Sequence, residues 1–541
     1  MESVYLTAVL SQYPRLYSKL DREEISKTYG CFDRTFWSWK FVDFPGARFQ
    51  ENVYSLAWLY NRADLRSPVQ ANVGTLSTIL SCMKYWASCQ RSDGSFDEAY
   101  PFEHSLAATA FTAFYIGETY LLVSDKIPEL EASILRDTLD RAASWLCKNK
   151  EHHGFLTNHL AAAAAALDVI YRITGRQKYI DRSNWFINLI LEHQSTEGWY
   201  DEYGGADIGY QTHGTFYLAR VWQRTKDNAL LHSLQNANEF LSHFIHPNKT
   251  LGGEYGSRNT SFYFPAAYEI LADQCPRAAS IASFMRESID KQIAPGVVAM
   301  DSYNLAPMLN NYLFAHDALT HNSVSQSFDL PFEIEGAKSF DHCGLHTYST
   351  KNYYAIVSSS KGGVLKVFSK QGSNKVWSDS GYWAATHLDK RISNQGLNLS
   401  NFTTFAGNTI ACESKFSFAN QMVMNPWLFL GFRLFMLTLG RSAYFARGVK
   451  NIMVSILVKR KKTCKSAVHR KIRFSTTEID IYDKITVEES DNIVRLKRDD
   501  NFSVIHMGSS RYFQKEEHGI GGHSDINLDS HHIIEHRRIS V

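Results

Sequence analysis

The 541-residue chain lacks a dominant charge. Its 57 Lys and Arg stand against 55 Asp and Glu, so no basic field marks it as a nucleic-acid binder. It also lacks paired cysteines. The eight it has are scattered without a C-x-x-C pair or zinc-ligand spacing, which argues for free thiols in a reducing compartment and against a disulfide framework or a metal site. A basic start followed by a long apolar run is missing from "MESVYLTAVLSQYPRLYSKLDREE". No secretory signal is therefore expected, and a cytoplasmic location follows as an expectation. The most apolar stretch, "NPWLFLGFRLFMLTLGRSAYFARGVKNIMVSILVKRKK", is interrupted by Arg433 and too short to cross a bilayer. The Lys459–Lys462 run suits peripheral contact with an anionic membrane through residues 425–465. The alternative is a helical appendage packed on its own protein.

What is present describes a globular protein of two or three domains, with 44% hydrophobic and 21% charged residues. Aromatic residues reach 13%, including 28 Tyr and 11 Trp. Such flat faces and phenols suit carbohydrate as well as ordinary cores.

The first three-fifths of the chain repeats one theme, a Gly- and acid-rich loop followed by a helix with small or apolar residues. The loops include "QRSDGSFDEAYPFEHS", "HHGFLTNH", "HQSTEGWYDEYGGADIGYQTHG" and "NKTLGGEYGSRNTSFYF". Between them lie amphipathic helices such as "ELEASILRDTLDRAASWLCKNK". Repeated helix pairs at this spacing indicate a solenoid or a closed toroid, with the loops gathered on one face.

One helix in this series is entered through Asn158 and His159 and continues as six alanines, Ala161 to Ala166. A helix N-terminus favours an anionic ligand. The plainer reading makes Thr157 or Asn158 an ordinary N-cap.

Beyond about residue 330 the texture changes to β-branched and aromatic runs broken by Gly, Ser and Asn, as in "NYYAIVSSSKGGVLKVFSK" and "RKIRFSTTEIDIYDKITVEES". These read as short antiparallel strands stacked in a sandwich. The fold class is multidomain α+β. An N-terminal (α/α) toroid of repeated helix pairs over 1–325 precedes a C-terminal antiparallel β-sandwich over 326–541, with a basic helical insertion near 425–465. His531 and His532 have no second ligand set at metal spacing.

The stretches "TNHLA", "EGWYDEYGGADIGY", "FDHCGLHTY" and "SKGGVLKVF", in this order of helical and β segments, resemble the heparinase II/III-like polysaccharide lyases, relatives of the alginate and chondroitin lyases. The resemblance implies β-elimination at a uronic acid, with an acidic polysaccharide or oligosaccharide as substrate. No cofactor is expected, and no metal, since no histidine–carboxylate set has ligand spacing. In such chemistry, donors offset the uronate carboxylate before a base takes the C5 proton. The Asn-His pair of the family falls on Asn158 and His159, and the proton-transferring Tyr on Tyr210. Relatives carry His directly after that Tyr, whereas Gln211 stands here and His213 follows later, so Tyr203 is a second candidate. A neighbouring cation or the substrate site would have to lower a Tyr pKa for base work. Arg258 of "GGEYGSRN" suits a two-point grip on a substrate carboxylate or the lowering of a Tyr pKa, with a structural Glu254–Arg258 pair as the alternative. His342 and His346 of the second domain are expected over the cleft. His342 would act as base or carboxylate partner, and Glu202, Tyr203, His213 and His346 would bind substrate. Asp93, Asp97, Glu98 and His104 in the first loop suit sugar hydroxyls.

Three other readings use the same residues. A polymer-level uronate C5-epimerase abstracts the same proton. A glycoside hydrolase would pair Asp201 or Glu202 with Glu254, but leaves Asn158 and Tyr210 without a role. A non-catalytic carbohydrate-binding protein of surface polysaccharide assembly would use the cleft alone. "QRSDGSF" also has a terpene-cyclase look, but no acidic cluster for diphosphate accompanies it.

Overall fold

The computed structural model describes residues 3–62, 69, 71–152, 154–321, 328–372, 376–418, 425–454, 463–499, 523–528 and 530–541. Helical periodicity in the first part becomes two concentric rings. The inner ring consists of α2 (Val53–Tyr60), α4 (Leu106–Val123), α6 (Thr157–Thr174), α8 (Ile208–Thr225), α10 (Ala266–Leu271) and α12 (Leu305–His321). Each packs on the next, and α12 packs back on α2, so the ring closes. Around it run α1 (Val4–Tyr17), α3 (Val73–Ser88), α5 (Glu129–Lys148), α7 (Gln177–His193), α9 (Asn228–Ser242) and α11 (Pro276–Asp290).

The two rings differ in sequence because they differ in burial. The outer helix α5 buries only a stripe at helical spacing, including Leu135, Leu139, Ala142 and Leu146. The inner helix α6 buries all six residues from Ala161 to Ala166. It is contacted by α4, α5, α7 and α8, and a methyl side chain lets helices approach on several sides at once. The expected (α/α) toroid is the observed one.

The β domain follows as two antiparallel sheets. The first has β1 (Gly336–Phe340), β2 (Leu345–Ser349), β3 (Tyr353–Ser358), β4 (Val364–Ser369) and β5 (Val376–Asp379) in chain order. Its strand β3 alternates strictly. Tyr353, Ala355 and Val357 face the second sheet through Ile410, Ile472 and Ile481, whereas Tyr354 and Ile356 join the core of the toroid. Period-2 geometry thus makes this sheet the layer between the helices and the outer sheet. Among the described residues the outer sheet has nine strands. One of them is the C-terminal β14 (His532–Ser540), which pairs antiparallel with β11 (Glu478–Thr486).

Between β9 (Thr409–Phe418) and β10 (Thr463–Phe474) two short helices, α13 (Pro426–Leu437) and α14 (Ala443–Val454), leave the sandwich and reach the toroid. Arg433 pairs with Asp43 at 2.8 Å and Phe432 meets Tyr100 edge-on at 5.1 Å. The Lys459–Lys462 run lies outside the described residues.

Candidate active site

The loops that precede the inner helices are stitched side by side along one rim. Leu156 bridges Glu202, Asp201 bridges Ala206, and Ser257 N–H donates to the Ala206 carbonyl at 2.9 Å. The mouth of α6 is completed by the loop after it. Neither Thr157 nor Asn158 caps the helix with its own side chain, which corrects that expectation. Instead the Asn158 N–H donates to Glu202 Oε1 at 2.7 Å, and its amide Nδ2 donates to Oε2 of the same carboxyl at 2.7 Å. A carboxylate suits a helix N-terminus, so the neighbouring loop supplies the cap. Glu202 is 0% exposed, and burial pushes its carboxyl up against the pull of the two Asn158 contacts. Glu202 therefore positions Asn158 from behind rather than binding substrate, contrary to expectation. One amide N–H of Asn158 is engaged, leaving the other and the amide oxygen.

A cavity of about 210 Å³ opens in front of Asn158, lined also by His159, Tyr203, Tyr210 and Arg48. His159 Nδ1 lies 2.8 Å from Glu151 Oε2, and its ring meets Phe111 edge-on. The tautomer with its proton on Nδ1 satisfies the carboxylate and leaves Nε2 as a lone-pair acceptor.

Tyr210 sits in the first turn of α8, where its N–H donates to the N-cap Asp207 at 3.1 Å. Gly209 before it has no room for a side chain, since a Cβ would fall 2.3 Å from Thr260 Oγ1. Tyr203 has a φ of 60°, a left-handed conformation that is costly for a residue other than glycine and that gathers at functional sites. The two tyrosine rings are 5.9 Å apart, and the Arg258 guanidinium stands 4.0 Å over Tyr203. Burial pushes the Tyr203 phenol up to about 12, outweighing Arg258. Burial and the neighbouring Tyr203 push Tyr210 well above 10. Both phenols are thus held protonated near neutrality. Arg258 pulls both phenols down, but burial outweighs it. Arg258 Nε is buried without a hydrogen-bond partner among the described residues.

Arg48 also lines this cavity, and the sequence reading did not single it out. Its Nε bonds Glu51 at 2.8 Å and its second amine bonds Glu98 at 3.2 Å, with the guanidinium 4.6 Å over the Phe111 ring. Burial works against its charge, and Glu51 and Glu98 outweigh it. Glu98, expected to hold sugar hydroxyls, instead binds this cation. The Arg–Glu spacing of three is the one sequence signal, and many solvated helices share it.

Of the remaining expected site residues, only His213 reaches this cavity. His213 touches the cavity, but its ring is stacked between Phe111 and Phe264 at 5.3 and 4.3 Å. Burial holds its pKa well below 6.5, and its Nε2 lies 3.2 Å from the Tyr217 hydroxyl. His342 is exposed at the seam between the domains, with Nδ1 3.3 Å from Ser195 Oγ, and does not line the cavity. His346 is buried between Ser339 and Ser359 hydroxyls at 2.7 and 3.0 Å, away from the cavity. Glu254 bonds Lys366 at 3.1 Å and its carbonyl accepts from Lys361, which ties the two domains. His104 bonds Asp93 at 2.8 Å and lines a larger cavity of about 420 Å³, together with Trp145, Glu151 and residues of α14. Asp97 is turned inward, accepting the N–H groups of Phe102 and His104 at 2.8 and 3.0 Å. Glu151 lines the larger cavity and bonds His159 of the smaller one, so the two adjoin.

Residues 46–299, which include Arg48, Asn158, His159, Tyr203 and Tyr210, match the family model of the ulvan lyase N-terminal domain. The chain is related to the polysaccharide lyases. No curated protein is similar to it in sequence. Among solved structures it is similar to the Streptomyces coelicolor A3 chondroitin AC lyase in complex with chondroitin sulphate, at 9% identity and a TM-score of 0.55, over 92% of this chain and 68% of that one. A mutant of that lyase gives 8% identity and a TM-score of 0.53 over the same shares. These likenesses show a shared fold of toroid and β-sheets.

Proposed function

We propose that the protein is a carbon–oxygen lyase that cleaves a uronate-containing polysaccharide by β-elimination. The observation that carries this reading is the 210 Å³ cavity, where an anchored amide, an imidazole backed by a carboxylate, two phenols and the Arg48 guanidinium converge, with Arg258 stacked on the Tyr203 ring. The ulvan lyase match over residues 46–299 supports it.

The chemistry divides among these groups. The substrate carboxylate lies against the Asn158 amide and Arg258, whose donors strengthen as enolate charge develops. His159 Nε2 takes the C5 proton, and Glu151 stabilises the imidazolium that forms. Electrons of the C5–H bond form the C4–C5 double bond as the C4–O bond breaks. Tyr210 protonates the departing oxygen, which suits a phenol held protonated. The epimerase reading needs a second donor at C5, and a hydrolase needs two opposed carboxylates.

The test is incubation with a panel of uronate polymers, ulvan and chondroitin among them. Elimination leaves a conjugated uronate end that absorbs in the ultraviolet. New reducing ends without that absorbance would make the protein a hydrolase, and C5 inversion without cleavage would make it an epimerase.

A further inference from the structure

The insertion formed by α13 and α14 has two unlike faces. One packs on the toroid, where Met436 (0% exposed) and Ala446 (5%) cover Tyr100 and Arg441 stands over Phe102. On the other face Trp427, Leu430, Leu434 and Leu437 follow each other at three- and four-residue steps along α13, and all are exposed, Trp427 by 81%. Leu439 and Tyr444, also exposed, continue this surface. A helix of 12 residues covers about 18 Å and does not cross a bilayer.

The charge pattern selects the occupant. From 425 to 462 the chain has Arg433, Arg441, Arg447, Lys450 and the four basic residues Lys459–Lys462, with no Asp or Glu. A second copy on this face would bring two such basic segments together, which is repulsive. An anionic lipid surface satisfies both features, accepting the apolar stripe and the aromatic rings while its headgroups attract the basic residues.

We propose that the insertion seats the protein on the surface of an anionic membrane, with α13 lying in the interface. The insertion packs on the 97–104 loop, and Glu98 of that loop bonds Arg48 in the cavity. Docking therefore holds the cleft beside the lipid surface, where a membrane-attached polymer is within reach. The proposal does not depend on the lyase reading.

The test is co-sedimentation of the full chain with phosphatidylcholine vesicles and with vesicles that also contain phosphatidylglycerol. The chain is expected to bind the anionic vesicles and to be released by high salt. Combined Trp427→Ser, Leu430→Ser and Leu434→Ser exchanges are expected to weaken binding about tenfold or more at unchanged melting temperature. Lys459→Gln with Lys461→Gln tests the electrostatic part and should weaken binding without touching the apolar face. Failure of the wild-type chain to bind anionic vesicles overturns the proposal. So does a dimer by light scattering that the triple variant converts to monomer, because the face would then belong to a second copy.

Discussion

The Asn158 backbone and side chain both donate to one carboxyl group, that of Glu202, at 2.7 Å each. This single partner fixes the helix start and aims the amide at the cavity. Asn158→Ala removes the amide donor but leaves the backbone contact, so turnover is expected to fall strongly, with a loss of stability limited to the one contact given up at the buried carboxyl. Glu202→Gln behaves differently. It keeps the volume but sets an amide N–H against an N–H of Asn158, at a cost of about 1–3 kcal/mol. Stability and turnover should fall together. Thermal denaturation alongside steady-state rates separates the two variants, and a Glu202→Gln protein with wild-type stability and rate would remove Glu202 from its positioning role.

Tyr210 and Tyr203 are both protonated phenols in one cavity, but their surroundings differ. Tyr203 lies under Arg258 and in a left-handed backbone, whereas Tyr210 stands on a helix turn against Phe262. Tyr210→Phe keeps the ring and deletes the donor, so kcat is expected to fall by roughly 10²–10⁴ with little change in KM. Tyr203→Phe should be milder and act mainly through KM. If the order is reversed, Tyr203 is the proton donor.

The toroid was legible because each inner helix carries its own start signal, a polar Gly-rich loop, and burial on all sides leaves a visible run of small residues at Ala161–Ala166. Asn158, His159, Tyr203 and Tyr210 share that legibility, since they stand at or just before the starts of α6 and α8. Arg48 does not, because its partner Glu98 is brought to it by packing of the ring rather than by neighbouring sequence. His346 and Glu254 were misread for a related reason. Strand pairing places His346 opposite Ser339 with its ring between hydroxyls, and the seam between the domains gives Glu254 to Lys366. Which way a strand or loop residue points depends on register and contact, and neither is written locally. The raised tyrosine pKa values likewise come from burial, which composition does not display.

Buried histidines give the fold a pH dependence of definite sign. Burial lowers His346 and His243 from 6.5 to about 4. As pH falls below 6.5 the unfolded chain takes up protons at these sites and the folded chain does not. Stability is therefore lost between about 6.5 and 4, on the order of 1 kcal/mol per pH unit for each such histidine. His346→Gln should flatten the slope by about one proton. Urea unfolding of both proteins across this range measures the difference, in which the buried carboxyls of Glu202 and Asp207 cancel. Parallel slopes would mean that His346 takes its proton in the folded state.

Two arginines near the site are expected to fail in different ways: Arg48 lines the cavity, and Arg258 stands over the ring of Tyr203, which lines it. Arg48 is matched by Glu51, whose side chain is 0% exposed, and by Glu98. Removing a buried partner leaves an uncompensated charge, a change that typically costs about 3–5 kcal/mol. Arg48→Ala should therefore lower the melting temperature before any effect on chemistry can be read. Arg258 instead stacks on the Tyr203 ring at 4.0 Å, and its guanidinium is the cation proposed to meet a substrate carboxylate. Arg258→Ala should raise KM about tenfold or more at nearly unchanged stability. Arg258→Lys should recover part of that loss, since lysine keeps the charge but not the planar two-point fork. A melting temperature that falls as far in Arg258→Ala as in Arg48→Ala would assign both arginines to the fold and leave Asn158 as the principal group facing the uronate.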